Sequence, residues 1–162
     1  MKLLILGAGQ YGKLVKEISS SQFDVIDFLD DNSLESIGKL DDYQKFVNIY
    51  EYAIVAIGNN EVRLLWLNKL VNYGFKIPKI ISDKAYISPS SLIEDGVIIE
   101  PMSVIQAESV VRFGSIISSG AIVNHNSVVL KGSHIDCNSV VGAGAVVPEK
   151  THLLYNSVIF KK

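Results

Sequence analysis

A glycine-rich turn near the start of the chain has the spacing of a phosphate-binding loop. Residues 7–12 read G-A-G-Q-Y-G, a G-x-G-x-x-G pattern. The pattern follows an apolar segment, Leu3 to Leu6, that predicts a buried strand, and it precedes a helical stretch from Lys13 to about Ser19. Backbone N–H groups of such a turn, together with the helix N-terminus, can receive a phosphate. The predicted ligand-binding residues of the turn are Gly7, Gly9, Gln10, Tyr11 and Gly12.

Polar residues also follow the next two predicted strands. The strand Val25 to Leu29 ends in Asp30 and Asp31, about 20 residues past the glycines, where an acid that binds a ribose hydroxyl is expected. The strand Ala53 to Ile57 leads to Asn59 and a long helix. We therefore expect Asp30, Asp31 and Asn59 to contact the ligand, although solvated loop carboxylates would give the same pattern.

The length of this region bears on the kind of ligand. About 80 residues precede the repeats described below, enough for four strands, the last near Pro78 to Ile81, and for one mononucleotide-binding half. The glycine turn alone would suggest NAD, but a dinucleotide normally lies across two such halves. We therefore predict a Rossmann-like α/β domain over residues 1–81 that binds one nucleoside diphosphate with a group attached.

The composition of the 162-residue chain excludes several classes of function. The formal net charge is −2, with Lys and Arg spread along the chain, so no nucleic-acid-binding surface is indicated. Cys137 is the only cysteine, so no disulfide forms within the chain. No apolar run approaches the roughly 18 residues of a membrane-spanning helix, and no signal peptide is recognisable. We expect a cytoplasmic protein with neither nucleic acid nor membrane as its partner.

A six-residue repeat runs through the second half of the chain. Every sixth residue from Ile87 onward is a branched aliphatic, and the residue two places before it is nearly always small. This period suits a short flat strand followed by a tight corner. Three units close a triangular coil in which residues 18 apart stack in columns and bury a continuous core. The aliphatic positions are Ile87, Ile93, Ile99, Ile105, Val111, Ile117, Val123, Val129, Ile135, Val141, Val147, Leu153 and Ile159.

Residues that tolerate positive φ recur at the presumed corners, three positions after the aliphatic. They are Gly96, Gly114, Gly120, Asn126, Gly132, Asn138, Gly144 and Asn156. Thirteen hexads make a little over four coils. We therefore predict an all-β domain, a parallel β-helix of hexapeptide repeats, over residues 82–162.

The two halves together resemble one family. The sequence looks like the sialic acid O-acetyltransferase family, which includes bacterial N-acetyltransferases of nucleotide-linked amino sugars in surface polysaccharide or glycan biosynthesis. The matching stretches are KLLILGAGQYGKLVKEI, VIDFLDD, AIVAIGNNEVR, AYISPSSLIEDGVIIEPMSVI and GAIVNHNSVVLKGSHI. The resemblance implies a left-handed β-helix, acetyl-CoA held between subunits as cosubstrate, a nucleotide sugar in the N-terminal domain, and a homotrimer. Outward apolar residues also favour a trimer, namely Ile98, Val104, Val110 and Ile116.

The same resemblance assigns roles to individual residues. His125, in VNHNSV, corresponds to the general base that deprotonates the attacking sugar amine or hydroxyl, a task that suits an imidazole because it titrates near neutral pH. His134, in KGSHI, matches a second histidine of the family motif. Gly142, Ala143 and Gly144 resemble the backbone region near the acetyl thioester, where an N–H group stabilises the oxyanion.

Departures from the family pattern leave two alternatives open. Asn126 stands where the family usually has Asp or Glu, Tyr11 stands where its glycine loop commonly has His, and only about one coil follows Gly144. A degenerate sugar-nucleotide-binding or scaffold protein without acetyl transfer would account for these differences. A zinc enzyme resembling the gamma-class carbonic anhydrases would need all three histidines, His125, His134 and His152. The N-terminal domain is foreign to that class, so we expect no metal.

Overall fold

The three strands predicted before residue 60 form a parallel sheet in the first of two units. The computed structural model describes residues 1–161, and its units divide after Pro78. The first unit contains β1 (Lys2–Leu6), α1 (Gln10–Ser19), β2 (Val25–Leu29), a 3₁₀ helix (Leu40–Phe46), β3 (Tyr52–Val55) and α2 (Asn60–Tyr73). The strand order is β2-β1-β3. Helix α1 begins three residues earlier than predicted, inside the glycine pattern itself.

Strand β1 is the buried centre of this unit. It pairs with β2 on one side and β3 on the other, and the side chains of residues 3–6 are fully inaccessible to solvent. Burying one such side chain contributes about 1.5–3 kcal/mol to the free energy of unfolding. Because all three strands run in one direction, their carboxyl ends share an edge, and the glycine turn, Asp30 and the start of α2 follow them there.

The repeats form a left-handed-type parallel β-helix of about four turns. Each turn contributes two-residue strands to three parallel sheets, and paired strands are 18 residues apart, as Ile117 pairs with Ile99 and Ile135. The strands are β4 (Ile80–Ile81), β5 (Tyr86–Ile87), β6 (Leu92–Ile93), β7 (Ile98–Ile99), β8 (Val104–Ile105), β9 (Val110–Val111), β10 (Ile116–Ile117), β11 (Ile122–Val123), β12 (Val128–Val129), β13 (His134–Ile135), β14 (Val140–Val141), β15 (Val146–Val147), β16 (His152–Leu153) and β17 (Val158–Ile159). The predicted hexad period and column spacing are confirmed.

The interior of the coil is built from the predicted aliphatic and small residues. The aliphatics from Ile93 to Val147 form one buried cluster, and Ile87, Leu153 and Ile159 at the two ends are partly buried. Buried serine hydroxyls between them donate to backbone carbonyls, as Ser133 Oγ does to Pro148 O at 2.8 Å. All eight predicted corner residues have positive φ. Three further corners, at Met102, Glu108 and Lys150, adopt positive φ without a glycine or asparagine.

The structure changes two expectations from the sequence. The short strand near residue 80 exists, but it pairs with Ile98–Ile99 and starts the β-helix, so the sheet of the first unit has three strands instead of four. Two of the outward apolar residues, Ile98 and Ile116, are fully buried in the single chain, and Val104 and Val110 are only partly exposed. These four residues therefore leave less exposed apolar surface for a trimer interface than expected. Within residues 1–161, no helix has both the length and the apolar character needed to cross a bilayer.

Candidate active site

The glycine turn closes on itself and on the end of β3. Gly7 has φ +106°, and a Cβ there would lie 2.8 Å from the carbonyl oxygen of Ala56. A Cβ on Gly12 would lie 2.0 Å from the carbonyl oxygen of Gly7, whereas a Cβ on Gly9 would meet no atom within 4 Å. Gly9 is the N-cap of α1 and supplies no capping side chain. The turn therefore presents main-chain N–H groups and the positive end of the helix dipole beside open space, which suits a phosphate.

The carboxylate of Asp30 ties the end of β2 to this turn. Its Oδ2 accepts a hydrogen bond from the Ala8 N–H at 2.8 Å, and its Oδ1 accepts from the N–H groups of Asn32 and Ser33 at 2.9 and 3.0 Å. These bonds, that from Ala8 first, hold the pKa of Asp30 below its usual range. Asp30 thus holds the conformation of the loop, and the ribose contact expected from its position stays a prediction.

Asp31 and Asn59 also have backbone partners. Asp31 Oδ1 accepts from the Leu40 N–H at 3.1 Å, and Asn59 Oδ1 accepts from the Val62 N–H at 3.0 Å, which caps α2. Both residues nevertheless lie exposed. Their side chains keep further hydrogen-bonding capacity for a ligand at the strand ends.

Arg63, which the sequence did not single out, holds the loop between β3 and α2. Its side chain is fully buried, and Nη1 donates to the carbonyls of Ile57 and Gly58 at 3.0 Å each, while Nη2 donates to Asn60 Oδ1 at 2.9 Å. Burial lowers the pKa of Arg63 to about 10, and the charge of the nearby Tyr11 acts in the opposite direction. Tyr11 and the exposed Gln10 begin α1, so the first turn of this helix lies within electrostatic range of Arg63.

His125 lies exposed at the corner that follows β11. Its backbone N–H donates to Asn124 Oδ1 at 2.8 Å, and its ring Nδ1 is 3.0 Å from Asn126 Nδ2. If the amide nitrogen donates, the ring proton must sit on Nε2, and Nε2 then has no lone pair for a substrate proton. Base catalysis at Nε2 requires the other arrangement, in which Nδ1–H donates to the amide oxygen of Asn126.

Residues 142–144 form the corner one turn above His125. The N–H of Gly144 donates to the carbonyl of His125 at 3.0 Å, and the N–H of Gly142 donates to that of Ile159 at 2.8 Å. Within the part of the chain that the structure describes, Ala143 is the one residue of the three whose N–H makes no hydrogen bond to the protein. Its exposed N–H is therefore the available oxyanion donor of this corner.

His134 is held by a buried carboxylate through a serine. Its Nε2 is 3.0 Å from Ser118 Oγ, and Ser118 Oγ donates to Glu100 Oε1 at 3.2 Å. Glu100 also accepts from the N–H and hydroxyl of Ser119 at 3.0 and 3.1 Å. Burial raises the pKa of Glu100, and the charge of Asp136 adds to this effect, while the serine hydrogen bonds oppose it.

The two candidate catalytic histidines do not meet within one chain. Successive strands of a turn belong in order to the sheets of β10, β11 and β12. His125 lies at the corner between the second and third of these sheets, and His134 lies in β13, which belongs to the first. In a triangular coil that corner is the edge opposite the first sheet. His125 and His134 can therefore act at one site only if they come from different chains.

Cys137 has no features of a nucleophile. Burial raises the pKa of its thiol, and the charges of Glu100 and Asp136 raise it further. A thiolate is therefore disfavoured at neutral pH, so Cys137 is a poor candidate for covalent catalysis.

Known proteins resemble the chain in both units. Residues 2–70 match the protein family described as the PglD N-terminal domain. The acetyltransferase domain of PglB from Neisseria gonorrhoeae, in complex with acetyl coenzyme A, is 29% identical with a TM-score of 0.77, over 92% of this chain and 82% of that one. A second structure of that domain is 27% identical with a TM-score of 0.79, over 99% and 91% of the two chains. PerB from Caulobacter crescentus, in complex with CoA and GDP-perosamine, shares the fold at 22% identity, with a TM-score of 0.62 over 93% and 90% of the chains.

Proposed function

We propose that this chain, which resembles nucleotide-sugar acetyltransferases of the hexapeptide-repeat β-helix type, transfers an acetyl group from acetyl-CoA to an amino or hydroxyl group of a nucleotide-activated sugar. The gonococcal PglB domain binds acetyl coenzyme A, and PerB binds CoA together with a GDP-linked sugar. The product would serve surface polysaccharide or glycan biosynthesis in the cytoplasm.

The proposal depends above all on the corner where Ala143 lies one turn above His125. The imidazole of His125 takes a proton from the sugar nucleophile, which attacks the thioester carbonyl. The carbonyl oxygen becomes an oxyanion that accepts a hydrogen bond from the Ala143 N–H. The tetrahedral intermediate then collapses and the C–S bond breaks. Coenzyme A leaves as a thiolate and recovers the proton from the imidazolium.

The first unit supplies groups for the nucleotide. We assign it as a Rossmann-like domain in which the diphosphate lies against the open space at Gly9 and accepts from N–H groups at the start of α1. Asp31 and Asn59, exposed at the same strand ends, are assigned to polar groups of the nucleoside or sugar. Asp30 is assigned to shaping the loop, since three backbone N–H groups already occupy its oxygens.

Participation of His134 requires a second subunit, because it lies on the sheet opposite the His125 corner. We propose a homotrimer in which His134 of one chain faces His125 of the next, with the Glu100–Ser118 pair orienting His134. Light scattering at micromolar concentration tests this assembly and should give three times the mass of the chain. A monomer that is fully active would exclude His134 from the site.

The experiment that tests the activity combines the full chain, acetyl-CoA and UDP-, dTDP-, GDP- or CMP-linked amino sugars in separate reactions. Release of the coenzyme A thiol is followed with a thiol-reactive dye, and the acetylated product is identified by mass spectrometry. We expect turnover with at least one nucleotide class. A protein that binds one of these sugars without releasing coenzyme A from acetyl-CoA would be a binding or scaffold protein instead.

A further inference from the structure

A cluster of three potential metal ligands lies on the sheet of β13 and β16, and the proposed reaction does not use two of its members. This cluster consists of His134, Asp136 and His152. His134 and His152 pair across adjacent strands, with ring centroids 4.6 Å apart and ring planes within 4° of parallel. Asp136 Oδ2 is 3.0 Å from His152 Nε2. One ligand atom from each residue lies within 4.8 Å of the other two.

The charges around this cluster favour a cation. The carboxylate of Asp136 is buried, with 6% of the side chain exposed, and Glu100 is a second buried carboxylate on the same corner column. The partners of Glu100 are neutral serine groups. The ion pair of Asp136 is with His152. Two buried carboxyl groups on one corner column form an electronegative environment that a bound cation would stabilise.

The donor set selects one class of ion. Two imidazoles and one carboxylate suit zinc and its transition-metal neighbours, whereas magnesium and calcium prefer oxygen ligands alone. Three protein ligands leave the fourth tetrahedral position open to water. The Ser118 hydroxyl, which donates to Glu100, accepts from His134 Nε2–H and leaves the lone pair on Nδ1. Metal-binding imidazoles commonly donate their second N–H to such a partner.

We propose that His134, Asp136 and His152 bind one divalent transition-metal ion of the zinc class per chain. Bonds of about 2.0 Å in a tetrahedral site require ligand atoms about 3.3 Å apart, so the side chains must close inward from their present separations. The side chain of His152 is 46% exposed and can rotate, while strand pairing holds the backbone of His134 and His152, and the Asp136 N–H donates to the Leu153 carbonyl. The site lies within one chain, so its stoichiometry does not depend on oligomeric state.

Metal binding is tested on the full chain after treatment with a chelator, with zinc chloride added in a calorimetric titration and cobalt chloride followed by visible absorption. We expect one zinc ion per chain, a rise in Tm on binding, and cobalt absorption typical of a tetrahedral site. His152→Ala and Asp136→Asn should each weaken zinc binding at least tenfold. His125→Ala, which removes the one histidine that is not among the three proposed ligands, should leave it unchanged, and magnesium should not bind.

Two results would overturn the proposal. One is the absence of stoichiometric zinc binding at micromolar concentration, which would leave Asp136 and His152 as an ion pair only. The other is zinc binding that survives both His152→Ala and Asp136→Asn. Circular dichroism of each variant establishes that a loss of binding is not a loss of folding. Neither result bears on acetyl transfer, which is measured separately.

Discussion

The two units of the chain hold their functional groups in different ways. In the first unit, polar side chains hold the backbone: Asp30 accepts three N–H groups, Asn59 caps α2, and Arg63 fixes the loop carbonyls. In the β-helix, the backbone is held by hydrogen bonds between turns and by the stacked aliphatic side chains. Exposed corner side chains such as that of His125 contribute little to this. Removing one of these bonded side chains in the first unit should therefore change stability and binding together, whereas removing an exposed corner side chain such as that of His125 should change chemistry alone.

The largest effect is expected for His125→Ala. Loss of a general base should lower kcat by a factor of about 10² to 10⁴. Affinity for acetyl-CoA and the Tm should stay near the wild-type values, because the side chain is exposed and only its backbone carbonyl bonds to the next turn. Steady-state kinetics with a saturating nucleotide sugar, together with calorimetry of acetyl-CoA, measure both quantities.

Lys131→Ala is a matched control for that substitution, since Lys131 occupies the same position of its hexad at another corner and its ion pair with Glu149 is largely exposed. It should keep full activity. Wild-type turnover by the His125→Ala protein would mean that the base lies elsewhere, with His134 the next candidate.

The glycine turn offers a pair of substitutions that separate folding from binding. Gly12→Ala should destabilise the first unit by about 3 kcal/mol or more, because the new methyl would overlap the carbonyl oxygen of Gly7. Gly9→Ala should fold normally, since its Cβ meets no neighbour and its φ of −69° suits alanine. It should weaken nucleotide-sugar binding at least tenfold, because the methyl would occupy the space assigned to phosphate. Thermal unfolding and calorimetry distinguish the two, and normal binding by Gly9→Ala would make the turn purely structural.

The sequence predicted the fold well wherever a short local pattern determines it. The hexads specify turns, corners and columns because each aliphatic must face the interior, so the pairing of His134 with His152 followed from their 18-residue spacing. The role of Asp30 did not follow, because its partner is the backbone N–H of Ala8, which leaves no mark in the sequence. The burial of Arg63 could not be predicted either, because it depends on hydrogen bonds to the backbone carbonyls of a loop.

One missed feature of the β-helix could have been found from the sequence. Glu100, Ser118 and Asp136 are spaced by 18 residues and so share a corner column. The same spacing stacks the apolar residues in columns inside the coil. Three polar residues in succession at one column position indicate contacts between turns, as the bond from Ser118 to Glu100 shows. By contrast, positive φ at Met102 and Glu108 could be predicted only from their corner positions, because neither residue type favours it.

A smaller effect is expected for Asn126→Asp. A carboxylate beside the ring of His125 accepts from Nδ1–H, which an amide can do only through its oxygen. The substitution should favour the tautomer with a free Nε2 and should also stabilise the imidazolium. The rising limb of the pH–rate profile should therefore move to higher pH, with equal or greater kcat on the plateau. Initial rates across pH 5–9 test this, and an unchanged profile would mean that Asn126 does not orient the base.

The smallest effect is expected in the pH dependence of stability. Glu100 and Glu94 occupy equivalent hexad positions, and they should change stability in opposite directions as pH rises. Burial raises the pKa of Glu100, so the folded state binds its proton more tightly than the unfolded state does. The contribution of Glu100 to stability should therefore be greatest below the unfolded pKa of about 4.5 and should be lost as pH rises through the folded value. For Glu94, burial acts in the same direction, but Arg112 and the Phe113 N–H outweigh it and lower the pKa. The contribution of Glu94 to stability is therefore present above about pH 4.5 and is lost in acid.

Glu100→Gln should gain stability relative to wild type as pH rises from 4 to 8, by a few degrees in Tm, whereas Glu94→Gln should lose stability relative to wild type over the same range. Thermal unfolding of the three proteins at matched pH tests the pair, and parallel curves for the two variants would contradict the opposite charge environments of these corners.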